Sequence, residues 1–333
     1  MPGVYATSRI KTDSRDVIIA ASEFDKGQAY AYDLDNEFQR IPVWEQGGGT
    51  MSIVQIPGTN DFLATQHFIP TFAAEEAFVV KASWNGSEYS ISKVAQTPFL
   101  HRFDLIPFDE NTDHFVGTTI TTEKDSIEDW SRPGHIQVGT YNRKTNQFEN
   151  LKNIGNPIHK NHGYKSFHEL GYSLITGVEG VYKLTYPTTS TDWQLEKLFD
   201  EEVSDIYPLD VNGDGLDEYF IIQGFHGPVL RLMDNQFNEL FKKQDPTPFG
   251  HAGWGGVVEG QPVFVFGHRD GKKDLSVFTF ENQNGLVVHE ELIESGAGPS
   301  NLFGYTKNDQ FYVASANREN DQFIVYELDK GEN

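Results

Sequence analysis

Short apolar runs that alternate at period two recur along this chain in groups of four, and the group repeats about every 47 residues. The second group reads as strands over residues 51–56, 61–67, 77–83 and 89–94, and the sixth over 253–258, 261–267, 275–280 and 287–292. Val, Ile, Tyr and Phe dominate the runs, and turn clusters such as Trp84-Asn85-Gly86-Ser87 separate them. A unit this small cannot bury its apolar faces alone, so it must stack on its neighbours. The expected fold is all-β, a seven-bladed β-propeller of four-stranded antiparallel blades, one domain across residues 1–333. First strands are expected near Val4, Thr50, His101, Tyr164, Ser204, His251 and Ser300. The last group stops after its third run, 323–328, so its outer strand is either missing or supplied by residues 2–9.

Charge narrows the function classes. Against 49 Asp and Glu stand 26 Lys and Arg, a formal charge of −23 over 333 residues. Such a surface repels phosphate backbones and anionic lipid, which argues against nucleic-acid and membrane partners. With no cysteine, disulfide scaffolds and thiolate zinc sites are excluded. No apolar stretch approaches a membrane span, and Met1-Pro2-Gly3-Val4-Tyr5-Ala6 has neither region of a secretion signal, so a cytoplasmic location is expected. No motif points to an oligomeric state.

In a propeller blade the innermost strand lines the axis and strands reverse direction, so first-strand starts and second-strand ends emerge on one face. His101 and His251 stand at first-strand starts and His162 just ahead of one, while His67, His226 and His268 stand at second-strand ends. The expectation is a histidine-lined axial mouth, whose imidazoles can hold a divalent ion such as Zn2+ or Mn2+ or act as base and acid near neutral pH. Arg102, Arg269 and Arg318 would neutralise a carboxylate or enolate, Tyr164 or Tyr305 would donate a proton, and Trp254 would stack on a sugar. For any one histidine alone the plainer reading is a polar loop or core residue. Residues 123–133 form the longest polar interval, a surface insertion whose Trp130 and Arg132 become a lid if it folds inward, and Gly47-Gly48-Gly49 reads as a flexible connection between blades.

Residues 210–219 (Asp-Val-Asn-Gly-Asp-Gly-Leu-Asp-Glu-Tyr) place side-chain oxygens at alternate positions of a tight glycine-containing loop, which suits Ca2+. The segment resembles the calcium loop of integrin-type FG-GAP propeller repeats. That resemblance implies ligands at Asp210, Asn212, Asp214, the Leu216 carbonyl and Glu218, with Glu in place of the usual Asp at the last position. The competing reading is a metal-free acidic turn capped by its own Asx hydrogen bonds. Strand direction puts this loop on the face opposite the histidines.

Three segments together resemble the propeller portion of aldos-2-ulose dehydratase and related bacterial proteins: 99–104 (Phe-Leu-His-Arg-Phe-Asp), 210–219, and Gly250-His251-Ala252-Gly253-Trp254 with Gly267-His268-Arg269-Asp270-Gly271. The histidine-lined mouth is also similar to that of propeller-fold uronate lyases, the L-rhamnose-α-1,4-D-glucuronate lyases and ulvan lyases. Both resemblances imply a carbon–oxygen lyase or dehydratase that performs β-elimination on a keto-sugar or uronate, a small molecule or an oligosaccharide. They imply His101 as base, His162 or Tyr164 as acid, and Arg102, Arg269 or a histidine-bound metal as enolate stabiliser. His67, His226, His251, Trp254, His268 and Arg318 would contact the substrate. The alternative is a non-catalytic, lectin-like or interaction propeller.

Overall fold

The protein is described here by a computed structural model covering residues 1–69, 73–282 and 285–328. Two compact units emerge, residues 2–201 and residues 202 onward with Met1. The first unit holds four sheets. They are β1 (Val4–Thr12), β2 (Arg15–Ser22), β3 (Ala29–Asp33) and β4 (Gln39–Trp44); β5 (Ile53–Gln55), β6 (Phe62–Gln66), β7 (Phe78–Trp84) and β8 (Tyr89–Gln96); β9 (Leu100–Pro107), β10 (Thr112–Thr119), β11 (Gly134–Asn142) and β12 (Gln147–Ile158); and β13 (Tyr164–Phe167), β14 (Tyr172–Gly177), β15 (Gly180–Thr185) and β16 (Gln194–Phe199). The second holds β17 (Val203–Leu209), β18 (Glu218–Gln223), β19 (Val229–Met233) and β20 (Glu239–Lys242); β21 (Gly250–Val258), β22 (Gln261–His268), β23 (Leu275–Asn282) and β24 (Leu286–Glu294); and β25 (Pro299–Lys307), β26 (Gln310–Asn317) and β27 (Gln322–Leu328).

Every sheet is an antiparallel meander, and the fold is the all-β, seven-bladed β-propeller expected from the repeat. The last sheet shows three strands among the described residues. Residues 2–9 do not complete it, because β1 pairs with β2 from Val4 to Thr12 and heads a sheet of its own. No helix among the described residues is long and apolar enough to cross a membrane.

The core sits between neighbouring sheets. Second strands are buried on both faces, as in β2 (Arg-Asp-Val-Ile-Ile-Ala-Ala-Ser), whose every residue is buried. Outer strands are largely exposed, as in β8 and β12. In the second unit Phe220 stacks on Phe264 with ring centroids 3.9 Å apart, and Phe266 and Phe278 complete that cluster. Burying each such ring contributes about 2–3 kcal/mol. The Gly47-Gly48-Gly49 connection is close-packed rather than flexible: a Cβ on Gly48 would lie 1.7 Å from the Phe24 carbonyl oxygen.

One irregularity recurs. Five of the innermost pairs skip a residue at the same place, leaving Tyr5, His101, Ser204, His251 and Ser300 as bulged residues. A bulge breaks the in–out alternation and re-aims the side chain it carries. Two residues earlier the backbone turns left-handed in four of the five, at Gly3, Phe99, Phe249 and Gly298. At phenylalanine that conformation costs about 1–2 kcal/mol, so the packing of Phe99 and Phe249 has to hold it.

Candidate functional site

Two of the sequence-predicted histidines, His101 and His251, are bulged residues. In the first unit His101 and His162 approach to 4.6 Å between ring centroids, and the His101 Nδ1–H donates to the His162 carbonyl at 3.3 Å. Both residues are 0% exposed. A group that touches a diffusing substrate must be reachable, so direct contact by His101 or His162, expected from the sequence, is at odds with this burial. Arg102 donates to the Met51 carbonyl, and its guanidinium lies 6.0 Å from the Tyr5 ring. His67 is exposed, left-handed, and 5.0 Å from Phe78.

In the second unit His226 and His251 are 5.0 Å apart, and Phe249 lies 4.4 Å from His226. His251 is buried and His226 half-buried. His268 uses both ring nitrogens locally: Nδ1–H donates to the Asp270 carbonyl at 2.8 Å and Nε2 accepts from the Asp274 amide at 3.3 Å. It therefore staples its own turn rather than offering a nitrogen to a ligand. Arg269 donates twice to Glu319, at 2.9 and 3.1 Å, and Arg318 lies 3.6 Å from the same carboxylate. Tyr305 is buried beside Tyr312. Trp254 packs on Phe311 at 5.3 Å.

The most complete acid–base constellation was not among the sequence candidates as such. In the first unit Asp104 of β9 accepts from His168 Nε2 at 2.7 Å, from the Tyr164 hydroxyl at 3.3 Å and from the Leu105 amide at 2.8 Å. Tyr164 also meets Ser173 at 2.7 Å, which in turn meets Tyr186 at 2.7 Å. One orientation satisfies all of them, Tyr186 donating to Ser173, Ser173 to Tyr164, and Tyr164 to Asp104. The histidine occupies a 3-10 turn, His168–Leu170, at the end of β13 away from His162. Its side chain is 38% exposed, and Nδ1 has no partner among the described residues.

The electrostatics follow from these contacts. The hydrogen bond that Asp104 accepts from Nε2–H raises the His168 imidazole above its ordinary value, against a smaller opposing effect of burial. Burial and then the Asp104 charge hold the Tyr164 phenol well above its usual range, and burial pushes Tyr186 up to about 12. Both phenols stay protonated at neutral pH. Asp104 does lie in the motif of residues 99–104, but its partner is 64 residues away, and nothing local marks His168 as special.

The acidic loop between β17 and β18 is drawn in on itself. Asp210 accepts from the amides of Gly213 and Gly215 at 2.7 and 2.9 Å, Asn212 from Asp214 and Asp214 from Leu216 at 2.8 Å each. Glu218 holds the Val211 amide and Asn212 Nδ2. These are the Asx bonds of the metal-free reading, yet every donor is a hard oxygen and each carboxylate keeps lone pairs, so the residues also fit Ca2+. The insertion at 123–133 likewise folds on itself: Arg132 pairs with Asp125, Asp129 and Glu123, and Lys124 lies 3.6 Å over Trp130.

Comparison with known proteins confirms the architecture. Neither a family profile nor a curated protein sequence matches this chain. Solved structures do. The propeller domain of Cps50 (Swd1) from Myceliophteria thermophila is similar over 99% of this chain and 97% of its own, with TM-score 0.58 and 10% identity. A Bacteroides fragilis protein whose proposed activity is 6-phosphogluconolactonase matches over 96% and 92%, with TM-score 0.63 and 13% identity. The Dos1 propeller matches over 89% and 71%, with TM-score 0.55 and 8% identity. What these share with the chain is the propeller fold, and at such identities that is all the likeness carries.

Proposed function

We propose that the protein is a sugar-active enzyme that moves protons through the Asp104–His168 dyad, and that its reaction is β-elimination on a keto-sugar or uronate-type carbohydrate. The observation that carries this is an exposed imidazole whose Nε2–H is held by a buried carboxylate and whose Nδ1 has no partner among the described residues. Such pairing fixes the tautomer, strengthens the free nitrogen as a base and stabilises the imidazolium that forms. His168 takes the proton from the carbon next to the carbonyl or carboxylate. The electron pair passes through an enolate into a new C=C bond as the C–O bond breaks, and the imidazolium formed at His168 returns its proton to the leaving oxygen. Tyr164 and Ser173 hold Asp104 in place from behind, out of reach of the substrate. This moves the base expected at His101 to His168 and the acid expected at His162 or Tyr164 to the same imidazole. The three segments similar to aldos-2-ulose dehydratase, one of which ends at Asp104, support the same reaction class.

Two metal roles belong to this reading. Ca2+ on Asp210, Asn212, Asp214, the Leu216 carbonyl and Glu218 would stiffen the turn between β17 and β18. A divalent ion such as Zn2+ or Mn2+ would take imidazole nitrogens, and His226 with His251 offers two. A second reaction is favoured by the Bacteroides neighbour: the same dyad deprotonates water for hydrolysis of a sugar lactone.

His168→Ala and Asp104→Asn test the reading on a panel of keto-sugars, uronate glycans and aldonolactones. Ultraviolet absorbance of a conjugated product reports elimination, and acid release reports lactone opening. Each variant is expected to lose about a hundredfold or more in kcat, while His101→Ala keeps its turnover if folded. Turnover unchanged in His168→Ala would overturn the assignment, and saturable sugar binding without turnover would make the protein a carbohydrate-binding propeller.

A further inference from the structure

Along the innermost strands of the second unit, exposure changes abruptly. At the histidine end Ser204, His251 and Ser300 are buried. Further along, Pro208, Trp254, Gly255, Gly256, Phe303 and Gly304 are all half-buried. The reachable wall is therefore aromatic and glycine-rich. Trp254 lies flat against two glycines: a Cβ on Gly256 would come within 2.3 Å of the indole, and one on Gly304 within 2.8 Å of it. Phe311 supports the ring at 5.3 Å. The indole Nε1–H has no partner among the described residues, and the residue is half-buried.

We infer that Trp254, with the half-buried Gly255, Gly256 and Gly304, is a stacking subsite for a pyranose ring. A rigid aromatic face takes the apolar C–H side of a sugar, and the flanking donor and peptide groups take its hydroxyls. The glycines serve the site in two ways: they let the indole lie flat, and they put no side chain over the peptide groups that point away from β22 and β26. The inference is independent of the dyad chemistry and of which reaction the enzyme performs.

Tryptophan emission tests it. Wild type is titrated with methyl β-D-glucopyranoside, methyl β-D-galactopyranoside, methyl α-L-rhamnopyranoside, methyl β-D-glucuronoside and adenosine. At least one pyranoside is expected to change the emission saturably. The change should vanish in Trp254→Phe, weaken about tenfold or more in Gly304→Val, and persist in His168→Ala. Calorimetric melting of Trp254→Phe guards against misfolding, and calorimetric titration of that variant should show the lost affinity directly. No response to any pyranoside, a response that survives in Trp254→Phe, or a response to adenosine alone would overturn the subsite. None of these outcomes bears on turnover by His168, so the two readings fail separately.

Discussion

At Asp104 the cost of burying a carboxylate is offset by three donors, the Leu105 amide, His168 Nε2–H and the Tyr164 hydroxyl. The pair to His168 also makes stability depend on pH. Asp104 raises the folded-state pKa of His168 above its unfolded value of about 6.5. The folded state therefore binds the proton more tightly, and the stabilisation is full below that unfolded value and lost as pH rises through the raised one. Urea unfolding followed across this window should show wild type losing stability with rising pH. Asp104→Asn should flatten that slope and, by leaving a buried network incomplete, lower stability by about 1–3 kcal/mol. An unchanged slope would mean that His168 is not the linked group. At this scale the sequence was partly informative: Tyr164 and Arg102 stood out as chemistry-bearing, whereas His168 did not, because its meaning lies in a contact made by folding.

Strands and turns were the scale most legible beforehand. Alternation and turn chemistry act within a few residues, so first strands at Val4, His101, Tyr164, Ser204, His251 and Ser300 fall within a residue or two of their observed starts. The bulges were not legible, since the left-handed Phe99 and Phe249 carry no glycine signal. The turn at 210–218 offers an element-scale prediction. If it takes Ca2+, millimolar calcium should raise the melting midpoint, a chelator should reverse the rise, and Asp210→Asn should abolish it. Calorimetry with equal magnesium as control would detect this. No calcium-dependent shift would leave the Asx-capped turn as the whole function of the segment.

Over the whole molecule, a formal charge of −23 repels itself. Raising salt from about 0.01 to 0.1 M shortens the screening length from about 30 to 10 Å. The melting temperature is therefore expected to rise over that range by a few degrees. A fall would mean that ion pairs such as Arg143–Asp113, at 2.5 Å with a fully buried carboxylate, dominate the electrostatics instead.

By itself the sequence determined the all-β class and the count of seven units, because period, alternation and turn residues act locally and repeat. The positions of His101 and His251 at first-strand starts were readable for that reason. Only the tertiary structure decided which of these groups a substrate can reach. It buried His101 and His162, spent His268 on its own turn, joined Asp104 to His168, and laid Trp254 on two glycines. Reachability and pairing are properties of neighbours brought together from distant parts of the chain, and no local pattern encodes them.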